Sequence, residues 1–282
     1  MKIVETVAEV QEQVKAWRKE GLTVGLVPTM GYLHEGHQSL IAKACAQNDR
    51  VVVSVFVNPT QFGPNEDLES YPRDLEHDAA LCESTGAALI FHPTPEEMYP
   101  KGFCSFVDMD VLTKELCGLS RPVHFRGVCT VVSKLLHIVQ PDKAYFGEKD
   151  AQQLAVIRRM VLDLNMNVEI VGCPIVRESD GLAKSSRNTY LSPAERKAAL
   201  VLSKSIFAGK QLAEAGETDA AKLVQAMTKI IEAEPLAKID YVKVVDLMTM
   251  QQIPKLDRPF LAAIAVYIGK TRLIDNFMMQ AG

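Results

Sequence analysis

The sequence predicts an α/β protein, with a Rossmann-like, doubly wound parallel sheet and a smaller C-terminal α+β domain. Two patterns predict this arrangement. Apolar, strand-like runs alternate with helical patterns as far as Pro174, and such β-α alternation is typical of a parallel sheet with helical crossovers. Beyond Pro174, helical patterns are followed by three adjacent strand-like runs. We therefore expect one domain over residues 1–174 and another over 175–282.

The predicted strands of the first domain are short and mostly apolar. Arg50–Val57 is a continuous run rich in β-branched residues, as expected for a strand that is covered on both faces. The helix predicted over Leu75–Thr85 is closed by Gly86 at a C-cap position. By the same criteria, strands are predicted at 23–27, 50–57, 87–91, 143–146 and 167–171, and helices at 39–44, 75–85, 128–139 and 154–164.

The second domain begins with a clear helix signal. Ser192 and Glu195 have the spacing of a capping box, with Pro193 at the first helical position, so a long helix is expected there. A second helix carries Leu223, Met227, Ile230 and Ile231 on one stripe. Strands are predicted at 239–245, 260–268 and 271–277.

The composition is that of an ordinary soluble globular protein, with 48% hydrophobic and 23% charged residues among 282. The formal charge of −4 and the lack of a block of Lys and Arg give no reason to expect nucleic-acid binding. The six scattered cysteines, without a Cys-x-x-Cys pair, suggest reduced thiols. The sequence shows no signal-peptide core and no apolar stretch of membrane length, so we expect a cytoplasmic protein.

The most informative segment is Pro28–His37, which lies between a predicted strand and a predicted helix. A strand, a tight Gly-containing turn and a helix start form a phosphate site, because free backbone N–H groups and the helix dipole point at the anion. His34 and His37 would share one face of the first helical turn, and either can donate to a phosphate oxygen. The alternatives are a zinc half-site or two surface histidines, although no cysteine or third histidine stands at ligand spacing nearby.

A second glycine turn, Phe146–Asp150, follows a predicted strand at the sheet edge where open α/β sheets place their ligands. Gly147 allows close backbone approach, Lys149 can place its ammonium on a phosphate, and Asp150 can accept from a ribose hydroxyl. The alternative is structural, because Asp150 and Gln153 have the spacing of a capping box.

Two further polar segments are candidates for substrate binding. In Lys184–Arg187, two cations and two hydroxyls suit a triphosphate whose charge grows during transfer, whereas most runs of this kind are solvated loops. In Val57–Phe62, a buried strand breaks into a polar loop. There Gln61 offers one acceptor and two donors without charge, which suits a small polyol acid.

Together these motifs resemble the paired HIGH and KMSKS signatures of the nucleotidyltransferase superfamily, which includes the class I aminoacyl-tRNA synthetases. Within it, the chain resembles the pantothenate synthetase (pantoate–β-alanine ligase) family, less strongly over roughly the last third of the chain. One departure is Lys184, where the family usually has Met or another apolar residue. The matching segments are PTMGYLHEGH at 28–37, FVNPTQF at 56–62, YPRDLEHD at 71–78, HFRGVCTVV at 124–132, FGEKDAQQL at 146–154 and the SSRN that ends at 188.

The resemblance implies two half-reactions at one site, in the biosynthesis of pantothenate and coenzyme A. ATP and (R)-pantoate first give pantoyl adenylate and pyrophosphate, and the β-alanine amine then attacks the adenylate to give pantothenate and AMP. The resemblance also implies a homodimer that uses ATP with Mg²⁺ and has no tightly bound organic cofactor. The protein ligands of Mg²⁺ are unknown from sequence, since phosphate oxygens and water hold most of such an ion.

The resemblance assigns roles to individual residues as well. His34, His37 and Lys149 would be catalytic, with His37 as the proton donor. Gln61 would bind pantoate and β-alanine, Gln153 would bind pantoate, and Asn58 would be a further substrate-binding residue. The smaller C-terminal domain would close over the site. The ATP-binding residues would be Met30, Gly31, Tyr32, Leu33, His34, Glu35, Gly36, His37, Gly147, Glu148, Lys149, Asp150, Val176, Lys184, Ser185, Ser186 and Arg187.

Two other functions stay open at this point. Another cytidylyl- or adenylyltransferase with the same histidine signature would lack the pair formed by Gln61 and Gln153. A non-catalytic nucleotide sensor would have lost a histidine or the cationic loop, and both are present here. In every case the expected partners are small molecules, without nucleic acid or membrane.

Overall fold

The computed structural model describes residues 1–64 and 66–280. The chain divides into two compact units, each built from three stretches of sequence. The first unit contains Met1–Met109, Arg121–Glu148 and Val156–Pro174, and the second contains Asp110–Ser120, Lys149–Ala155 and the chain from Ile175 onward. Two short, early segments therefore belong with the C-terminal part of the chain.

The first unit is organised around a parallel sheet of six strands in the order β1-β4-β3-β2-β5-β6. Its strands are β1 (Lys2–Val4), β2 (Val24–Thr29), β3 (Arg50–Val55), β4 (Leu89–Phe91), β5 (Lys143–Gly147) and β6 (Glu169–Cys173). The chain order reverses between the neighbours β2 and β5, and open α/β sheets bind ligands beyond the carboxyl ends of such strands. The predicted doubly wound parallel sheet is thus confirmed.

The helices are α1 (Val7–Lys19), α2 (Glu35–Gln47), α3 (Leu75–Thr85), α4 (Pro95–Met98), α5 (Leu116–Ser120), α6 (His124–Val139), α7 (Ala151–Asp163), α8 (Pro193–Ala198), α9 (Leu200–Glu214) and α10 (Ala220–Glu232). Two residues fix the ends of α3 where the sequence predicts them. The Asp74 carboxylate accepts from the His77 N–H at 3.0 Å, and Gly86 adopts φ +98° at the C-cap.

The first 20 residues contain two elements for which the sequence analysis makes no prediction. They are the edge strand β1 and the helix α1, which begins with a capping box between Thr6 and Glu9. Val10, Val14 and Trp17 form its buried face at helical spacing. A three-residue edge strand is too short to give a periodic signal, whereas the cap and stripe of α1 are legible in the sequence.

The second unit contains an antiparallel sheet of three strands, β7 (Ala237–Asp246), β8 (Phe260–Ile268) and β9 (Thr271–Met279), in sequence order. Helices α9 and α10 pack on it through an apolar core that includes Leu202, Leu223, Met227 and Ile264. The capping box at Ser192 is confirmed. The prediction of one long helix is wrong, because Ala199 separates α8 from α9. The φ of −58° and ψ of −20° at Ala199 are those of a 3₁₀ turn.

Candidate functional site

The loop between β2 and α2 carries the PTMGYLHEGH motif and turns sharply. Gly31 has φ +83°, a left-handed conformation that favours glycine, and Tyr32 follows with φ +52°. A Cβ added at Gly31 would lie 3.0 Å from both the Asp78 Oδ2 and the Val55 Cγ1. Glycine is therefore favoured here by contacts as well as by backbone conformation.

Five N–H groups of this loop are hydrogen-bonded to side chains of the protein. They donate from Gly31 to the Thr29 Oγ1 (3.1 Å), from Tyr32 and Leu33 to the Asp78 carboxylate (2.9 and 2.6 Å), from His34 to the His37 Nδ1 (3.3 Å) and from Gly36 to the His34 Nδ1 (3.1 Å). The expectation that the backbone N–H groups point at an anion is therefore wrong for these five. A phosphate at this loop would therefore need donors other than these five N–H groups.

The two histidines form a capping box at the start of α2. His34 is the N-cap, its ring accepts from the Gly36 N–H, and the His37 ring accepts from the His34 N–H. The usual box uses a hydroxyl and a carboxylate at the same three-residue spacing. Here the three-residue spacing places two imidazoles on one helix turn. It also lets the Nδ1 of each ring accept a backbone hydrogen bond, which anchors the ring.

The anchors decide which ring nitrogen can donate to a ligand. Because each Nδ1 accepts a backbone hydrogen bond, a neutral ring carries its proton on Nε2. The ring centroids lie 4.1 Å apart with an interplanar angle of 39°. The two rings thus lie side by side at the N-terminus of α2, where the helix dipole favours an anion.

Gln61 and Asn58 lie where β3 leads into a short 3₁₀ turn, Pro59–Gln61. They are only 7% and 1% exposed. The Asn58 amide donates to the Gln61 Oε1 at 3.0 Å, and the Gln61 amide donates to the Met30 Sδ at 3.2 Å. The structure therefore brings three predicted site residues into contact: Met30, Asn58 and Gln61.

Residues that the sequence analysis did not single out hold the main chain of Gln61. Its carbonyl lies 3.0 Å from the His124 Nδ1 and accepts from the Arg121 Nη2 at 3.4 Å. Arg121 forms two 2.6 Å hydrogen bonds with the Glu66 carboxylate. Burial opposes the charge of Glu66, but the hydrogen bonds and charge of Arg121 outweigh it and hold the pKa of that carboxyl below its usual value.

Gly127 explains why the HFRGV motif contains a glycine. A Cβ at this position would lie 2.4 Å from the Thr60 carbonyl oxygen and 2.5 Å from the Gln61 Cα. The Gly127 carbonyl also accepts from the Asn58 amide at 3.2 Å. The close approach of α6 to the 3₁₀ turn thus seats the two amide side chains.

In the second unit, the candidate residues Lys149 and Asp150 lie immediately before α7. The Lys149 carbonyl accepts from the Asn276 side chain of β9 at 2.8 Å, so this strand fixes the turn. The Lys149 Nζ lies 3.9 Å from the Asp150 Oδ2. The two preceding residues of the motif, Gly147 and Glu148, end the second stretch of the first unit.

Two adjacent glutamines on α7 have different surroundings. Gln152 is buried, its amide donates to the carbonyls of Leu112 and Glu115, and its oxygen accepts from the Cys117 N–H. It therefore ties the 110–120 segment to α7. Gln153 is half-buried and remains the predicted pantoate-binding residue, and the capping interpretation of Asp150 with Gln153 also remains a prediction.

The cationic segment Lys184–Arg187 follows a hydrogen-bonded turn. The Lys184 N–H donates to the Val176 carbonyl at 2.9 Å, which joins two predicted ATP-binding residues. Ser185 caps the 3₁₀ turn Ser186–Tyr190 by accepting from the Arg187 N–H at 3.3 Å. These hydrogen bonds fix the main chain of the segment at Lys184 and Arg187, and its role in ATP binding and the alternative of a solvated loop both remain predictions.

Metal and membrane features can be stated for the described residues. Over residues 1–64 and 66–280, no group of three or more His, Cys, Asp or Glu side chains is placed to hold a metal ion, so the zinc alternative finds no ligand set there. All six cysteines are free thiols, three of them buried. Within the same residues, no helix has the length and apolar character needed to cross a membrane.

Comparison with known proteins covers nearly the whole chain. Residues 2–278 match the family described as Pantoate-beta-alanine ligase. The chain is 68% identical over 277 residues to the pantothenate synthetase of Ruminiclostridium cellulolyticum, with 98% of each protein covered. It is 60% identical over 280 residues to that of Enterococcus faecalis, with 99% of each covered.

Solved structures give the same result. A pantothenate synthetase from Thermus thermophilus superposes with a TM-score of 0.92 at 47% identity, covering 98% of this chain and 99% of that one. A pantoate-beta-alanine ligase from Francisella tularensis, complexed with beta-gamma ATP and beta-alanine, superposes with a TM-score of 0.81 at 35% identity, covering 99% and 97%. The chain therefore belongs to the pantoate–β-alanine ligase family.

Proposed function

We propose that the protein condenses (R)-pantoate with β-alanine to give pantothenate through a pantoyl-adenylate intermediate, consuming ATP and releasing AMP and pyrophosphate. One observation carries the proposal: residues 2–278 match a ligase family whose reaction needs these substrates. The paired histidines at the start of α2 support it, because two imidazoles lie together at a helix N-terminus, where a polyphosphate is favoured.

In the first half-reaction, a pantoate carboxylate oxygen attacks the α-phosphorus of ATP, and the bond from that phosphorus to the oxygen bridging it to the β-phosphate breaks. Pyrophosphate leaves with the electron pair. The protein's part is to hold two mutually repelling anions in line, with little covalent chemistry of its own. His34 and His37 donate to the phosphates through Nε2, and Lys149 adds a cation.

In the second half-reaction, the β-alanine amine attacks the acyl carbon of the adenylate. The bond from that carbon to the AMP oxygen breaks, and AMP leaves as the amide forms. We assign His37 as the proton donor, from its Nε2 to the departing AMP phosphate, while the attacking nitrogen gives its extra proton to solvent. Gln61 and Asn58 bind the hydroxyl and carboxylate groups of pantoate, with Gln61 also near β-alanine, and Gln153 supplies a further neutral contact.

The remaining contacts concern the nucleotide. Gly147, Glu148, Lys149 and Asp150 bind it at the start of α7, and Val176 and Lys184–Arg187 bind it from the hydrogen-bonded turn. Mg²⁺ enters with ATP, held mainly by phosphate oxygens and water, as is usual for this ion. No tightly bound organic cofactor takes part.

We extend the proposal to the setting in which the enzyme works. It acts as a cytoplasmic homodimer on small molecules only, and the smaller domain closes over the bound substrates. The family resemblance of the motifs supports these points. Light scattering on the purified protein checks the homodimer, which requires twice the mass of one 31.1 kDa chain.

An ATP–pyrophosphate exchange assay with a panel of small carboxylic acids tests the function. We expect exchange that depends on pantoate and needs no amine, followed by AMP release when β-alanine is added. Exchange that depends on another acid instead of pantoate would contradict the proposed substrate, and no exchange without β-alanine would contradict the adenylate route. A control reaction without pantoate and β-alanine measures the background from ATP hydrolysis.

A further inference from the structure

Two carboxylates are buried among the described residues, and they are neutralised differently. Asp275 in the second unit is 2% exposed and forms two hydrogen bonds with the Arg177 guanidinium, at 2.7 and 2.9 Å. Asp78 in the first unit is 1% exposed and, within the part of the chain that the structure describes, has no ion pair with Lys or Arg. Burying a carboxylate without a cation is costly, so the presence of one here points to a role beyond packing.

The Asp78 carboxylate is satisfied by the main chain of the histidine loop. Its Oδ2 accepts from the Tyr32 N–H at 2.9 Å and its Oδ1 from the Leu33 N–H at 2.6 Å. The neighbouring His77 reaches the same loop, with its Nε2 3.1 Å from the Leu33 carbonyl. Two residues of the first turns of α3 therefore bind the histidine loop. Asp78 accepts from two of its N–H groups, and His77 contacts the Leu33 carbonyl.

The loop needs such a hold because its backbone is unusual. Tyr32 has φ +52°, which side-chain-bearing residues seldom adopt, directly after Gly31 at φ +83°. Met30 and His34 flank this pair, one in contact with Gln61 and the other capping α2. A shift of the loop would therefore move both a substrate-side contact and a histidine.

Electrostatics agree with this geometry. Burial raises the pKa of Asp78, against the two N–H groups of Leu33 and Tyr32 and the nearby His77, which favour the ionised form. The fold thus places the Asp78 carboxyl where burial disfavours its charge, and the Tyr32 and Leu33 N–H groups are its hydrogen-bond donors. Such conflicts occur at functional sites.

We propose that Asp78 is a positioning residue for ATP: by binding the Tyr32 and Leu33 N–H groups, it fixes the left-handed loop that orients Met30 and His34. The inference rests on the proposed assignment of residues 30–37 to ATP. Misplacing a binding group by about 1 Å can cost on the order of 10²-fold in rate. We therefore expect Asp78→Asn to lower kcat/KM for ATP by about 10- to 100-fold.

The matched control is Asp74→Ala on the same helix. Asp74 caps α3 by accepting from the His77 N–H and makes no hydrogen bond to the histidine loop within the described residues. Both variants should lower the urea midpoint, but only Asp78→Asn should lower kcat/KM for ATP. Equal losses of ATP use in the two variants would reduce Asp78 to a structural role and overturn the proposal. Full recovery of Asp78→Asn at high Mg²⁺ would assign the carboxylate to the metal instead and overturn it too.

Gly31→Ala tests the same contact if Asp78→Asn fails to fold. The added methyl group would lie 3.0 Å from the Asp78 Oδ2 at a φ of +83°. Gly31→Ala should therefore lower kcat/KM for ATP as Asp78→Asn does. Parental kcat/KM for ATP in Gly31→Ala would overturn the proposal.

Amide hydrogen exchange separates this inference from the proposed function. In Asp78→Asn, the Tyr32 and Leu33 amides should exchange at least about tenfold faster than in Asp74→Ala, whatever reaction the enzyme catalyses. Unchanged exchange at these two amides would overturn the positioning role even if pantoate-dependent ATP–pyrophosphate exchange is found. Faster exchange without any pantoate-dependent activity would keep the contact and reject the proposed function.

Discussion

The two units hold their candidate residues in different ways. In the first, Gln61 is 7% exposed and its amide is hydrogen-bonded at both ends, and the two histidine rings are anchored at Nδ1. In the second, Lys149 is held through its carbonyl by Asn276, and Lys184 through its N–H by Val176. A neutral hydrogen-bond donor binds a ligand only when it is correctly oriented, whereas a charged group attracts an anion over a longer range. The side-chain anchoring of Gln61 and of the histidine rings agrees with this need for orientation.

The largest effect on rate is expected at His37, an oriented hydrogen-bond donor near the phosphate on which charge develops. His37→Ala should lower the rate of pantoyl-adenylate formation by about 10²- to 10³-fold, since one preorganised donor near the reacting phosphate is lost. Single-turnover measurement of adenylate formation checks this. His137→Ala, on the exposed side of α6, is the control and should match the parent. Parental adenylate formation in His37→Ala would remove His37 from the chemistry.

The adjacent glutamines of α7 give a smaller, matched comparison within the second unit. Gln153→Ala should reduce kcat/KM for pantoate by about 10- to 100-fold, because a polar substrate group loses its neutral partner. Gln152→Ala removes three hydrogen bonds inside the unit and should lower the free energy of unfolding by about 1–3 kcal/mol without changing pantoate use. Steady-state kinetics and urea unfolding of both variants decide the assignment, which a reversed pattern would refute.

The smallest effect concerns the ion pair behind Gln61. The pKa of Glu66 is held below the ordinary 4.5, so its carboxylate stabilises the fold above about pH 4.5, and this contribution disappears as the pH falls through the lowered pKa. Glu66→Gln should therefore cost about 1–2 kcal/mol at pH 7 and progressively less in acid. Urea unfolding across this pH range, with the exposed Glu69→Gln as control, measures the difference. A cost that does not vary with pH would mean that the charge of Glu66 is unimportant.

Local signals predicted much of the fold. Gly86 marks the end of α3, because a left-handed residue at a C-cap is legible in sequence. The β-branched run at Arg50–Val55 likewise indicates a buried strand. The break at Ala199 was not legible, since alanine favours an uninterrupted helix.

The candidate site was predicted less completely, because its supporting contacts join distant parts of the chain. The motif spacing identifies the histidines, yet their loop is held by Asp78, 46 residues away from Tyr32. Arg121 reaches Glu66 across 55 residues. Neither pairing leaves a periodic or spacing signal in one sequence. The expectation of free backbone donors failed for the same reason at Tyr32 and Leu33, whose N–H groups bond to the Asp78 carboxylate of another helix.

Hydrogen exchange with and without ATP plus pantoate tests the difference between the two units most directly. Residues 30–37 are fixed by side-chain hydrogen bonds, so they should be protected before ligands bind and change little afterwards. Residues 178–190, whose cations are to meet the triphosphate, should gain protection when both ligands are present. Unchanged protection across 178–190, or a large gain across 30–37, would contradict the account.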